Sequence, residues 1–131
     1  MGKITELQDL VCPELSYKIV GCAFDVYNEL GSGHHENYYQ KALAEALARN
    51  NIKFQEQLYC PINYAGKIVV KKLLDFLIEG QVVVEIKKSE RFAKSNIDQV
   101  LNYLRINKLK LAILINFGGR DVLFKRIVNL L

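Results

Sequence analysis

The chain has 131 residues, half of them apolar and 24% charged, with only two prolines, a composition that excludes a disordered or low-complexity segment and suits one globular domain. No apolar run approaches the roughly 20 residues that span a bilayer, and the start, "MGKITELQDLVCPEL", holds no signal-type apolar block, so a soluble, cytoplasmic protein is expected. The net charge of +4 is unevenly spread: residues 1–86 hold 8 Lys/Arg against 11 Asp/Glu, net −3, and residues 87–131 hold 10 against 3, net +7.

From Glu14 to Leu30, apolar residues recur at Leu15, Ile19, Ala23, Val26, Tyr27 and Leu30, which predicts an amphipathic helix. "GSG" at 31–33 ends it. A second helix is expected from about His35 to Asn50, with Tyr39, Leu43, Ala46 and Leu47 on its inner stripe. The period then changes. "IKFQEQLYCPINYAGKIVVKKLLDFLIEGQVVVEIKK" is rich in β-branched and aromatic residues and is cut at Ala65-Gly66 and Gly80, which predicts three antiparallel strands. Helical spacing returns from Phe92 to about Asn107. A short apolar strand, "LAILINF", follows, and after "GGRD" the tail "VLFKRIVNLL" reads as strand, helix or both. Cys12, Cys22 and Cys60 are odd in number and form no CxxC pair, so they read as reduced thiols, with Cys22 on the buried helix face.

The stretch "LLDFLIEGQVVVEIKK" (73–88) carries charge where a buried hairpin should not. Alternation puts Glu85 and Lys87 on one strand face and excludes Lys88 from it. With a three-residue loop at Glu79-Gly80-Gln81, Ile78 pairs with Val82 and Asp75 stands opposite Glu85, Cβ atoms about 5 Å apart. A two-residue loop would instead set Asp75 against Val84 and separate the carboxylates. In the first register the two like charges repel, and a hard divalent cation such as Mg²⁺ or Mn²⁺ would offset them. On the residues alone, a solvent-facing cluster balanced by Lys87 is the more ordinary account.

The spacing of Asp75 and Glu85-Ile86-Lys87 resembles the D…(D/E)xK motif of the PD-(D/E)XK nuclease superfamily, whose core order of helix, three strands, helix and strand matches the elements from about His35 to Phe117. "GHHENYY" at 33–39 also fits G-x-x-E-x-x-Y at Gly33, Glu36 and Tyr39, so the chain resembles the GxxExxY family of that superfamily. Leu74 stands where the superfamily's name has proline.

The resemblance implies an α/β (α+β) fold with a restriction-endonuclease-like core, in the order α-α-β-β-β-α-β plus a C-terminal tail, in one domain over 1–131 with a core at about 35–117. It further implies an Mg²⁺-dependent (or Mn²⁺-dependent) nuclease cutting nucleic acid, DNA above all. Asp75, Glu85 and the Ile86 carbonyl would be metal ligands, Glu36 would complete the metal shell directly or through water, and Lys87 would assist the attacking water. Gln99 and Tyr103, one helical turn apart, would support the site with Tyr39. The alternative function is a non-catalytic nucleic-acid-binding or protein-interaction module that retains the fold.

Other signals are weaker. His34 and His35 lack the PCxxC partner of zinc deaminases, and HExxH is absent. Lys88, Arg91 and Lys94 follow the motif and suit a phosphate-binding groove, although a solvated basic face is the ordinary reading. A homo-oligomer is left open.

Overall fold

The computed structural model describes residues 11–89 and 92–130. Helix α1 is Pro13–Leu30, α2 Glu36–Arg49 and α3 Lys94–Ile106; the strands are β1 Phe54–Tyr64, β2 Lys67–Ile78, β3 Val82–Lys87, β4 Leu111–Asn116 and β5 Leu123–Val128. Every expected element forms, and the tail resolves as strand β5.

The strands make one sheet in the order β1-β2-β3-β4-β5, with only β3 and β4 parallel. Parallel neighbours need a crossover, and α3 provides it. On one face, Ile19, Ala23 and Val26 of α1 and Tyr39, Leu43 and Leu47 of α2 pack on Phe76, Ile78, Val84, Ile86 and Ile113. On the other, Val100 and Leu104 of α3 pack on Leu58, Leu74, Val83, Ala112 and Leu114. Strands covered on both faces should read as continuous apolar runs, and "VVVEI" and "LAILI" do, apart from Glu85. This mixed sheet between helical layers is the α+β arrangement of a restriction-endonuclease-like core. The three cysteines are free, and Cys22 is buried as its helix position predicts.

Two turns set the strand register. Ala65 (φ 52°) and Gly66 (φ 78°) join β1 to β2, both at the positive φ of a type I′ turn. Glu79-Gly80-Gln81 joins β2 to β3 as a three-residue loop closed by Gln81 N–H donating to Ile78 O at 2.9 Å, so Ile78 does pair with Val82.

The segment after β3 is pinned to the end of β4. Asn116, only 1% exposed, accepts through Oδ1 from Ser89 N–H (3.2 Å) and Gly118 N–H (2.8 Å), and its amide donates to Ser89 O. A Cβ on Gly118 would lie 2.6 Å from Ser89 O and 2.7 Å from Ser89 N, both backbone atoms that cannot swing aside. Gly118→Ala should therefore lower unfolding free energy by about 1–3 kcal/mol in urea denaturation, as overpacking does. Gly21→Ala, in helix α1 with open space at its Cβ, should raise it by roughly 0.5–1 kcal/mol.

Candidate active site at a fork in the sheet

Strands β2 and β3 pair through Ile78↔Val82, Leu77↔Val83 and Phe76↔Val84, and there their ladder stops. Beyond it β2 continues with β1 alone, and β3 continues with β4 to Lys87↔Asn116. The sheet forks, and Asp75 and Glu85 are the first residues past the divergence. In a continued ladder Ile86 N–H would face the backbone of Leu74; here it donates to Asp75 Oδ2 at 2.7 Å. Asp75 N–H in turn donates to Glu85 Oε1 at 3.1 Å. Two carboxylates thus replace the backbone acceptors that the separating strands lose.

A second irregularity lies at the same level. The β1–β2 partners run from Glu56↔Phe76 to Leu58↔Leu74 and omit Gln57 and Asp75, and Gln57 has φ 58°. Leu74 and Phe76, two residues apart, would share a face in a regular strand. Instead Phe76 lies in the core under α1 and α2, and Leu74 in the core under α3. The strand turns its faces over at Asp75, and this brings an unforeseen residue to the site. Lys72 Nζ lies 3.5 Å from Glu85 Oε2, the oxygen that Lys87 Nζ also approaches at 3.7 Å. Lys72 further donates to Asn96 Oδ1 of α3 at 3.3 Å.

Glu85 is 2% exposed, and a buried carboxylate is tolerable only with charge and hydrogen bonds around it. The two ammoniums and Asp75 N–H supply them. Asp75 is less well compensated. Burial first, and then repulsion from Glu85, push its carboxyl up to about 7, against the opposing pull of Ile86 N–H and Lys87. Beside them Cys60 is raised by burial, with Lys72 lowering and Glu85 raising it further, and Tyr103 of α3 is raised by burial and then by Cys60. Cys60 pairs with Lys72 across the β1–β2 ladder, and Tyr103 packs on the same apolar cluster. Gln99 is half-buried on α3 between Asn96 and Tyr103.

The G-x-x-E-x-x-Y residues act together at the other side of the fork. Gly33, at φ 94°, takes a backbone conformation that side chains disfavour. The Tyr39 ring is fully buried and stacked on Phe117 (centroids 4.4 Å, planes 3° apart). Its hydroxyl donates to Gly31 O at 2.6 Å and accepts from His34 N–H at 3.3 Å, which fixes the loop before α2. Glu36, at the first turn of α2, then reaches across to accept Lys88 N–H through Oε1 at 2.8 Å, just past the end of β3. Tyr39 thus serves the site from the core, and Glu36 approaches it from the backbone side of Lys88.

Among the described residues no three His, Cys, Asp or Glu side chains stand close enough to hold an ion together. Glu36 forms no three-carboxylate cluster with Asp75 and Glu85 and accepts Lys88 N–H through Oε1. His34 Nε2 lies 2.8 Å from Leu30 O, a local helix-end contact. Lys88 and Lys94 are exposed, and Arg91 lies outside the described residues.

The chemistry of the donors fits a hard divalent cation. Asp75 and Glu85 each commit one oxygen to a backbone N–H and turn charge toward the other carboxylate. An extended residue points its N–H and C=O to the same side, so the Ile86 carbonyl also faces the fork. The repulsion that lifts Asp75 is the cost such a cation would relieve.

A family model described as the PD-(D/E)XK nuclease superfamily matches residues 13–127. Among solved structures, the crystal structure of SSO0001 is similar, with a TM-score of 0.53 and 23% identity, covering 72% of this chain and 51% of that one. The chain spans about half the length of that protein, and the likeness is one of fold. No curated protein matches.

The strained carboxylate pair gives a stability signature. A carboxyl raised on folding contributes stability that is full below its unfolded value, near 4, and is lost as pH rises through about 7. Asp75→Asn, which keeps the acceptor for Ile86 N–H, should therefore raise the thermal midpoint in chelator by about 3–8 °C at about pH 8. By about pH 4 the difference should vanish, as followed by circular dichroism.

Proposed function

Because the chain belongs to the PD-(D/E)XK nuclease superfamily, we propose that it hydrolyses phosphodiester bonds of nucleic acid, DNA foremost, with Mg²⁺ or Mn²⁺ held at the sheet fork. The observation that carries this reading is the convergence of Asp75, Glu85 and Lys87 where β2 leaves β3. The Gly33, Glu36 and Tyr39 pattern supports placement in the GxxExxY branch.

Asp75, Glu85 and the Ile86 carbonyl would hold the ion. When bound, a divalent ion at such a site acidifies a water and neutralises charge on the phosphoryl oxygens. The rest is the work of the protein's own groups. Lys87, on a rigid buried strand between β2 and β4, presents its ammonium beside the carboxylates, where it orients the attacking water and stabilises charge developing on the phosphate. Lys72 stands on the other side of the same carboxylate oxygen and adds a second positive charge. In the resting protein both ammoniums are paired with Glu85. With Glu85 holding a cation, Lys72 and Lys87 would be free to face the substrate phosphate. Water loses a proton to solvent as it adds in line at phosphorus, the P–O bond to the leaving strand breaks, and the departing oxygen takes a proton from solvent water.

Glu36 fits a supporting role, holding Lys88 N–H and thereby the end of the Lys87 strand. Gln99 and Tyr103 line the α3 side. Lys88, Arg91 and Lys94 follow the catalytic lysine in the chain and would supply positive charge for the phosphate backbone.

Purified protein incubated with single- and double-stranded DNA and RNA should cut in Mg²⁺ or Mn²⁺ and not in chelator. Lys87→Ala should reduce the cutting rate by about 10²–10³-fold, the scale of losing one transition-state donor. Lys72→Ala, which leaves Lys87 in place, should cost about tenfold, because it removes only the second charge. Asp75→Ala should abolish metal-dependent cutting. Binding without cutting, unchanged by all three substitutions, would instead show an interaction module that keeps the fold.

A further inference from the structure

Strands β1 and β2 have 11 and 12 residues against six in each of β3, β4 and β5. Past the fork, among the described residues, β2 has β1 as its only strand partner, and residues 61–71 form a two-stranded ribbon that no third strand covers. From Leu74 to the tip it extends about 25 Å at about 3.3 Å per residue. Consecutive residues Ile68, Val69 and Val70 are 51%, 57% and 46% exposed, so both faces of the ribbon are open, and Tyr64 at the tip is 74% exposed. An isolated hairpin is marginal in water, and an apolar one of this length calls for an occupant.

Charge identifies it. Residues 59–73 contain Lys67, Lys71 and Lys72 and no Asp or Glu. The ribbon also continues the active-site face: Cys60↔Lys72, Ile62↔Val70 and Tyr64↔Lys67 follow one another outward from Glu85 on the α3 side. The tight Ala65-Gly66 turn keeps the tip two strands wide, and the register shift between Ile62 and Asn63 adds twist. A narrow, twisted, basic ribbon is a shape that the major groove of B-form DNA admits, and that the deep, narrow major groove of A-form RNA does not.

We propose that the β1–β2 ribbon is a DNA-docking arm that enters the major groove of a duplex and guides the backbone to the fork. Lys67 and Lys71 take phosphates along its length, Lys72 meets the strand at the reacting site, and the apolar β-branched side chains contact groove walls and thymine methyls. The proposal deepens the nuclease reading and rests on it for the position of the scissile bond. A second copy of the chain is the competing occupant.

The test is binding rather than cutting. A labelled DNA duplex of about 20 base pairs and an RNA duplex of the same sequence are titrated by fluorescence anisotropy with the Asp75→Asn protein, which prevents cleavage, between about 50 and 200 mM salt. In that background Lys67→Gln/Lys71→Gln should weaken DNA binding about tenfold. It should also flatten the slope of log affinity against log salt by about 1.8, the loss of two phosphate contacts. RNA binding should be weaker at the outset and change little. Unchanged affinity and slope overturn the arm, as does an equal loss on RNA. A loss that sedimentation traces to dissociation of a dimer assigns the ribbon to a second copy and overturns it too. Circular dichroism and the thermal midpoint report whether the double variant is folded, and Tyr64→Ser at the exposed tip supplies an independent variant with a smaller expected loss. Failure of the wild-type protein to cut DNA removes the nuclease reading and leaves this binding result standing.

Discussion

The donation of Ile86 N–H to the carboxylate of Asp75 is the interaction on which the site depends. A sheet can end a ladder between two neighbouring strands only if the backbone groups left behind find other partners. Here Asp75 and Glu85 provide them, each carboxylate bound to the opposite strand's N–H. The fork and the charged pair are therefore one structural fact. Without the carboxylates, the Asp75 and Ile86 N–H groups beyond Phe76 and Val84 would lose their acceptors.

Function and stability pull against each other at this point. Asp75 is held in a place where its charge is unwelcome, and its high pKa is the measure of that strain. Lys72 and Lys87 limit the cost by pairing with Glu85, and the buried sheet beneath keeps the groups from drifting apart. The surrounding structure holds this geometry with apolar packing on both faces and with polar latches at the rim, Asn116 on Ser89 and Glu36 on Lys88. These latches hold the segment that leaves β3 directly after Lys87, which must keep its place if the ammonium is to stay beside the carboxylates.

Much of this was legible in the chain. Helical spacing marked α1, α2 and α3, and the change to β-branched runs marked the strands. Counting loop residues offered two registers, and the structure takes the one that pairs Ile78 with Val82 and brings Asp75 to Glu85. Tyr39 illustrates a partial reading: its place on the inner stripe was apparent, but its grip on the Gly31 carbonyl, which explains why a tyrosine follows Glu36 by three residues, needed the packing of α2 on Phe117. The contact of Glu36 with Lys88 N–H could not be read from the chain, because it joins residues 52 apart in sequence.

The sequence by itself determined the elements and narrowed the hairpin to two registers, because these follow from local periodicity and from the possible loop lengths; the fold chose the three-residue loop. Only the tertiary structure decided that β2 turns its faces over at Asp75. Parity along a regular strand separates Lys72 from Asp75, so no spacing rule could nominate that lysine. The break opposite Gln57 brings it to Glu85. The ribbon beyond the fork was hidden for the same kind of reason: "YCPINYAGKIVVKKL" reads as ordinary paired strand, and whether a third strand covers it is settled by where β3 stops, which is a property of the assembled sheet.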